Sequence, residues 1–205
     1  MSFKNSLILF FATFLTTSLL YAQNDTVTTK KPVVCTVTKS YNVGDMGPAN
    51  GWIIYKKPVV SGQSEDTCWQ YLEAAPVDSQ ASVWSNITDV YIGTTSTGIG
   101  AGMDNTKKII AQPNHTTSAA QICDGLIIKV DDKSLKGWFL PSKDELALMY
   151  KLLKKKNIGD FSSETYWSSS ESNEKRAWFQ YFSNGNNNLA LGKNLSFSVR
   201  CVRAF

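Results

Sequence analysis

The segment "GWFLPSKDELALMYKLLKKKNIG", which begins at Gly137, constrains the fold more than any other part of the chain. Ser142 and Glu145 have the spacing of a capping box, in which each side chain satisfies a free backbone N–H group of the other residue. Lysines at 154–156 suit the negative end of the helix dipole, and Gly159 can end the helix. We predict a helix whose buried face consists of Leu146, Met149, Tyr150 and Leu153.

After Phe161 the sequence changes to the period-two pattern of β-strands. In "AWFQYF" (177–182), one face would contain Trp178, Gln180 and Phe182. The other, more exposed face would contain Phe179 and Tyr181. The run "NGNNN" (184–188) predicts a turn. In "LSFSVRCV" (195–202), alternation predicts inward side chains at Leu195, Phe197, Val199 and Cys201, and outward ones at Ser196, Ser198 and Arg200. We expect Arg200 and Arg203 to hold the terminal strands by hydrogen bonds.

The first half of the chain gives weaker signals. A turn cluster at 44–51 precedes a short apolar strand at 52–56, and residues 68–76 suit a strand or a short amphipathic segment. Residues 78–114 are rich in Gly, Ser, Thr and Asn, so we predict that they are mostly loop. We predict a further helix within 117–128, because one of its faces would contain Ala119, Ile122, Cys123 and Leu126.

The N-terminal residues are typical of a secretory signal peptide. Lys4 supplies the positive charge, Leu7–Leu20 is an apolar run, and Ala22 is small enough for the cleavage position. The run is short for a membrane span, and no cysteine directly follows Ala22 to carry a lipid anchor. We predict a signal peptide at 1–22 and a flexible lead-in at 23–40. The product would be secreted, periplasmic or on the cell surface, with no membrane insertion after cleavage.

The charge balance argues against a nucleic-acid partner. The chain has 21 Lys and Arg residues against 17 Asp and Glu residues, a formal net charge of +4. Nucleic-acid binding requires a concentrated basic stripe, which this mild excess does not indicate.

Four cysteines lie beyond the signal peptide. An even number in an oxidising compartment favours two disulfides, with three possible pairings. Because Cys123 and Cys201 both face the predicted core, we prefer the bridge Cys123–Cys201, which leaves Cys35–Cys68 as the second bridge. No pair has CxxC spacing and His115 is the only histidine, so we expect no zinc site.

The order of several sequence blocks resembles a known family. The blocks are "VGDMGPANGWIIY", "YLEAAP", "AAQICD", "GWFLPSKDELALMY", "YWSSSE", "AWFQYFSNG" and "VRCVRAF". In this order they resemble the bacterial Lcl C-terminal domain, which has a C-type-lectin-like fold, over residues 41–205. The resemblance implies an α+β domain with two helices packed on a small twisted antiparallel sheet and with paired N- and C-terminal strands. It also implies that the cysteine of the first helix joins that of the last strand.

The resemblance implies binding rather than catalysis. Relatives include adhesins that bind sulfated polysaccharides and surface proteins whose C-terminal strands are diversified for ligand binding. Calcium-dependent sugar binding needs several charged oxygens, whereas "WSSSE" (167–171) offers hydroxyl groups at the expected position. Enzymes on this scaffold need a late cysteine pair for copper or several histidines for iron. We therefore predict no metal site, no cofactor and no enzymatic activity.

The stretch "YWSSSESNEKRAWFQYFSNGNNN" (166–188) is the predicted contact region. Trp167, Trp178 and Phe182 suit the core, whereas Tyr rings and Asn amides elsewhere suit recognition, because they give contact area and both donate and accept hydrogen bonds. We predict that an extracellular glycan or protein contacts Asn173, Lys175, Arg176, Tyr181, Asn184, Asn186, Asn187 and Asn188. The alternatives are a merely solvated hairpin, a structural envelope or assembly module, and an enzyme on the formylglycine-generating scaffold.

Overall fold

Residues 39–58 and 69–205, which this computed structural model describes, form mixed α and β structure that is mostly sheet. The helices are α1 (Gly102–Ile110), α2 (Ala119–Asp124) and α3 (Lys143–Leu152). The strands are β1 (Trp52–Lys56), β2 (Tyr71–Ala74), β3 (Ser79–Val83), β4 (Ile128–Val130), β5 (Lys133–Leu135), β6 (Trp138–Phe139), β7 (Thr165–Glu171), β8 (Arg176–Tyr181), β9 (Ala190–Gly192), β10 (Ser196–Val199) and β11 (Val202–Ala204).

The strands form two sheets and a separate ribbon. One sheet has the order β1-β2-β11-β6, the other has the order β3-β10-β7-β8-β9, and β4 pairs with β5 in the ribbon. The pairing of β10 with β7 is parallel. The C-terminal strand β11 lies between β2 and β6, so β2 separates it from β1. The C-terminal strand therefore joins β2 from the first half of the chain and β6 from the second half, but two sheets are present where we predicted one.

Helix α3 confirms the capping box. The Ser142 side chain accepts the Glu145 N–H, and the Glu145 carboxylate accepts the Ser142 N–H at 2.8 Å. Of the predicted stripe, Tyr150 is only half-buried, whereas three residues are fully buried: Leu146, Met149 and Leu153. A 3₁₀ turn follows at Lys154–Lys156, and Asn157, with a φ of 54°, ends it before Gly159.

The other two helices depart from prediction. Helix α2 is shorter than predicted, begins after the capping residue Ser118, and ends before Leu126. Helix α1 lies within residues 78–114, which we predicted to be mostly loop. Its N-cap residue, Ala101, supplies no side-chain cap, and its buried face includes the polar Asn105, whose amide exchanges two hydrogen bonds with the Ser96 backbone. This helix depends on contacts with distant segments rather than on local propensity.

Strand β8 is packed on both faces. Phe179, on the face that we expected to be exposed, is 1% exposed and packs with Trp167. On the opposite face Phe182 packs against Tyr166, with ring centroids 4.3 Å apart. The prediction of an exposed face is therefore wrong, because β8 lies inside the five-stranded sheet with a cluster of core residues on either side.

Arg200 is buried, although strand alternation predicted an outward side chain. Its Nη1 donates to the carbonyls of Ala75 (3.0 Å) and Gly159 (2.9 Å), and its Nε donates to the Asp78 carboxylate. Arg200 forms structural hydrogen bonds as expected, but its partners lie in the segments that follow β2 and α3 rather than in a terminal strand. Its position differs because Asp78 supplies a counter-charge inside the fold, which makes the burial of a guanidinium possible.

The disulfide between Cys123 and Cys201 is present, and both residues are fully buried. It joins α2 to the segment between β10 and β11, and it confirms the preferred pairing. The predicted Cys35–Cys68 bridge, the signal peptide at 1–22 and nearly all of the lead-in at 23–40 lie outside the described residues.

The buried Glu145 carboxylate accepts backbone N–H groups at the start of two helices, α3 and α1. Besides the Ser142 N–H, it accepts the N–H of Gly100, two residues before α1, at 2.7 Å. A Cβ atom at Gly102, the first residue of α1, would collide with the same carboxylate. Burial raises the pKa of Glu145 to about 7, while the N–H groups of Ser142, Gly100 and Gly102 act in the opposite direction.

This carboxyl group should make stability depend on pH. Between its ordinary pKa of 4.5 and its folded pKa of about 7, the folded state holds a proton that the unfolded state has released. The free energy of unfolding should therefore fall by about 3 kcal/mol as the pH rises through this range. Glu145→Gln should remove most of that slope, whereas Asp144→Asn, at an exposed neighbour, should keep it. Urea denaturation across this pH range measures both slopes; parallel curves for Glu145→Gln and the parent protein would contradict the assignment.

Candidate functional site

Seven of the eight predicted contact residues lie in two groups at opposite ends of β8, and the eighth, Tyr181, is the last residue of that strand. The basic turn (residues 172–176) contains Asn173, Lys175 and Arg176. The amide turn (residues 183–189) contains Asn184, Asn186, Asn187 and Asn188. Because β8 has six residues, the two turns are about 17 Å apart. A ligand of modest size would contact one of these surfaces and not both.

Within the basic turn, Asn173 shapes the backbone. Its side-chain oxygen accepts the N–H groups of Lys175 (3.0 Å) and Arg176 (2.9 Å), which is the local turn chemistry expected of asparagine. The Lys175 carbonyl in turn accepts the Lys193 N–H at 3.0 Å. The backbone of the turn is thereby fixed, while the side chains of Lys175 and Arg176 remain exposed.

Directly beneath the basic turn lies a fully buried ion pair. The Lys193 Nζ is 2.5 Å from the Glu171 carboxylate, and both side chains are 0% exposed. The same Nζ donates to the Val90 carbonyl at 2.9 Å and lies 4.9 Å from the centre of the Trp84 ring. The ammonium group therefore has three different contacts for its three N–H groups.

Glu171 connects this pair to a third segment of the chain. Its two carboxylate oxygens accept the N–H groups of Ile92 (3.1 Å) and Gly93 (3.0 Å). The neighbouring Val90 and Tyr91 are 49% and 57% exposed. Residues 90–93, 172–176 and 193–195 are thus held together, and we call them the three-segment surface.

Sequence reasoning missed Tyr91. It lies within the Gly-, Ser- and Thr-rich stretch that we predicted to be loop, and a large aromatic residue in such a stretch was the available signal. The link from this loop to the basic turn depends on Glu171 and Lys193, which are 22 residues apart in sequence. Neither residue belongs to a local motif that would have revealed the pair.

The serines of "WSSSE" are structural. Ser168, Ser169 and Ser170 are fully buried. Ser168 donates to the Trp178 carbonyl at 2.7 Å, and Ser170 donates to the Ser96 carbonyl at 2.8 Å. The Ser169 hydroxyl accepts the Asn105 side-chain amide at 3.1 Å, so none of the three hydroxyl groups is available to a ligand. Within residues 39–58 and 69–205, no group of three or more His, Cys, Asp or Glu residues is arranged to hold a metal ion.

The amide turn also uses its asparagines for local structure. Asn184 accepts the Asn186 N–H at 2.9 Å, and Asn186 accepts the Asn188 N–H at 3.0 Å. Gly185 has a φ of +83°, and a Cβ atom there would collide with the Tyr150 ring. The side-chain oxygens of Asn184 and Asn186 are therefore engaged, which reduces what this turn can offer a ligand.

The two remaining aromatic residues of the predicted region are half-buried. Tyr181 packs edge-on against Phe179, with ring centroids 4.9 Å apart. Trp178, which we expected in the core, is half-buried. The Lys143 Nζ lies 3.7 Å from the centre of its ring. Tyr181 therefore presents only part of its ring to solvent.

His115 is half-buried and pairs with a capping residue. Its Nε2 lies 2.9 Å from the Ser118 hydroxyl, which also accepts the Gln121 N–H at the start of α2. Burial lowers the pKa of His115. Because Ser118 is fully buried, this pair stabilises a helix start and leaves no exposed nucleophile.

None of the helices in the described part of the chain is both long enough and apolar enough to cross a membrane. No family model matches the sequence, and no curated protein matches it. Among solved structures, a fimbrial protein from Bacteroides ovatus ATCC 8483 aligns with a TM-score of 0.49 and 17% identity. The alignment covers 69% of this chain and 37% of that protein, so this chain matches little more than a third of its length. This degree of likeness carries no functional argument.

Proposed function

We propose that this chain is an exported, non-enzymatic recognition domain that binds an extracellular glycan or protein through the three-segment surface, without calcium. The observation that carries this proposal is the buried Glu171–Lys193 pair. It fixes three segments that are distant in sequence beneath an exposed edge of the fold. A fixed surface loses less conformational entropy on binding than a flexible one.

The exposed groups on this surface suit recognition. Tyr91 is more than half exposed and offers a rigid ring, while Lys175 and Arg176 offer charged donors. Glu174 is the acidic residue in the same turn. Aromatic and Arg side chains dominate the energetics of many binding surfaces. The combination favours a ligand with acceptor groups next to an apolar or sugar face.

We further propose a C-type-lectin-like fold. The mixed α+β content, the bridge from α2 to the C-terminal strands, and the position of β11 beside β2 support it. An exported location is supported by the Cys123–Cys201 disulfide, because disulfides persist in oxidising compartments.

The contact surface can be tested by binding with matched variants. The purified protein is screened on a glycan array and a panel of extracellular-matrix proteins, with and without a calcium chelator. Tyr91→Ala and the double variant Lys175→Ala/Arg176→Ala should each weaken the strongest interaction at least about tenfold, as expected for central contact residues. The chelator should change nothing.

Asn187→Ala is the control at the opposite end of β8, and it should change affinity less than about twofold if the ligand is confined to the three-segment surface. Loss of binding in Asn187→Ala alone would move the site to the amide turn. Failure to bind any glycan or matrix protein would reject the recognition proposal. Self-association by sedimentation would then favour the assembly-module alternative.

A further inference from the structure

Strand β9 is an open edge of the five-stranded sheet. It pairs with β8 on one side, and no other strand of the described part of the chain pairs with its second side. Its three residues are half-buried, and Leu189, directly before it, is 49% exposed. Residues 189–192 include no charged residue and no proline. An uncharged apolar edge of this kind can pair with a further strand.

Strand β1, at the edge of the other sheet, shows how this chain protects an edge. The turn before β1 folds back along it, so that the Gly44 N–H donates to the Ile53 carbonyl at 2.8 Å and the Ile53 N–H donates to the Asp45 carbonyl at 2.9 Å. The exposed Lys56 ends the strand. Both features discourage pairing with another chain. Within residues 39–58 and 69–205, β9 has no such covering segment.

The pattern of hydrogen bonds on β8 shows which backbone groups of β9 point outward. Ala190 lies opposite Trp178, and Gly192 lies opposite Arg176. The carbonyls of Trp178 and Arg176 are bonded on the side away from β9, to a serine hydroxyl of β7 and to N–H groups of the basic turn. These are therefore the non-hydrogen-bonded positions of the antiparallel pair. The N–H and C=O groups of Ala190 and Gly192 point away from β8, whereas those of Leu191 point toward it.

The outward groups of β9 are complementary to themselves. If two copies of β9 run antiparallel about a two-fold axis at Leu191, Ala190 of each copy faces Gly192 of the other. Each facing pair can then exchange both of its backbone hydrogen bonds. The Gly192 carbonyl already accepts the Leu195 N–H at 3.1 Å, but a carbonyl oxygen has a second lone pair. The open edge ends at Lys193, whose carbonyl accepts the Trp84 N–H at 2.9 Å.

We propose that two copies of this chain associate through β9 and form a continuous sheet across a two-fold axis. Residues 189–192 share no residue with the three-segment surface, so the proposal is independent of the proposed function. The interface is built on a short strand and is smaller than the about 1,200 Å² of stable complexes. We therefore expect weak association, with a dissociation constant of roughly 0.1–1 mM.

Hydrogen exchange of the purified protein, measured by NMR at about 20 μM and about 1 mM, tests the proposed pairing directly. Exchange of the Ala190 and Gly192 N–H groups should slow at least about twofold at the higher concentration, because they are bonded only in the dimer. The Leu191 N–H is the internal control, since it points toward β8 in both states and should exchange equally at both concentrations. Concentration-independent exchange of Ala190 and Gly192 would overturn the proposal, even if the protein self-associates through another surface.

Sedimentation equilibrium with variants provides the second measurement. Ala190→Pro removes an outward N–H and leaves the bonds to β8 intact, and it should weaken self-association at least about tenfold; Leu189→Lys, which adds a charge beside the edge, should have a similar effect. Val77→Lys is the matched control at a position that is 65% exposed and outside β9, and it should change the dissociation constant less than about twofold. A parent protein that stays monomeric at every concentration would also overturn the proposal. The exchange comparison on the parent protein remains decisive if Ala190→Pro does not fold.

Discussion

Replacing Lys193 with methionine should lower the free energy of unfolding by about 3–5 kcal/mol. The substitution removes the ammonium that contacts both Glu171 and the Val90 carbonyl. The Glu171 carboxylate then remains buried without a counter-charge, because the side chains of both residues are fully buried. Such an uncompensated charge costs much more than the net stabilisation that the intact pair provides.

Replacing Glu171 with the neutral glutamine in the Lys193→Met variant should restore much of the lost stability. In Lys193→Met/Glu171→Gln, no buried charge remains, and the glutamine oxygen can still accept an N–H from Ile92 or Gly93. We expect this double variant to recover at least about half of the loss. Lys175→Met makes the same chemical change at an exposed position of the basic turn, and should change stability by less than about 0.5 kcal/mol.

Urea denaturation followed by tryptophan fluorescence measures all three variants. A loss below about 1 kcal/mol in Lys193→Met would contradict the burial of an intact ion pair. Hydrogen exchange adds a local measurement, since the N–H groups of Ile92 and Gly93 are bonded to Glu171. Their exchange should accelerate in Lys193→Met under conditions where the protein stays folded, because the carboxylate that protects them is no longer held.

Local signals in the sequence predicted the elements that depend on local contacts. The capping box predicted α3, since Ser142 and Glu145 interact within one helical turn. Helix α1 was not predicted, because it depends on contacts with residues that are distant in sequence. Its start depends on Glu145, which is 45 residues from Gly100. No periodicity near α1 could indicate that support.

Buried charges were the second source of error. Strand alternation predicted an outward Arg200, because a charged residue on a two-sided strand normally faces solvent. The counter-charge from Asp78 and the carbonyls that bind Arg200 come from segments more than 40 residues away. Lys193 illustrates the same limit, since its burial depends on Glu171 and on the Val90 carbonyl. Whether a charged side chain can be buried depends on a partner from a distant segment, and a single sequence does not indicate which distant residues will pair.

The candidate site was predicted in part. Polar turn residues such as Lys175 and Asn187 were placed correctly on turns, because Asn and Gly favour the backbone conformations found there. Their arrangement was not foreseen, since β8 separates the two turns. The third segment, with Tyr91, is linked to the basic turn through the buried Glu171–Lys193 pair. Composition thus identified a polar region, whereas tertiary contacts decided which of its residues share a surface.

Removing the Cys123–Cys201 bridge should have the second large effect. The two cysteines are 78 residues apart, and the bridge links α2 to the C-terminal strands. By the chain-entropy relation, a loop of this length stabilises the folded state by about 4–5 kcal/mol. Cys123→Ala/Cys201→Ala should lower the free energy of unfolding by roughly 2–5 kcal/mol, since measured losses of native disulfides fall in that range.

The experiment is cleanest in a Cys35→Ala/Cys68→Ala background, where Cys123 and Cys201 are the remaining cysteines. There, adding a reductant should lower the guanidinium midpoint of the parent to nearly that of the four-alanine variant, and should leave the variant itself unchanged. Because Cys201 precedes β11, the lost bridge should also accelerate hydrogen exchange at Val202 and Arg203, which pair with β2 and β6. If neither the reductant nor the substitutions change the guanidinium midpoint, core packing around α2 holds the C-terminal strands without the bridge.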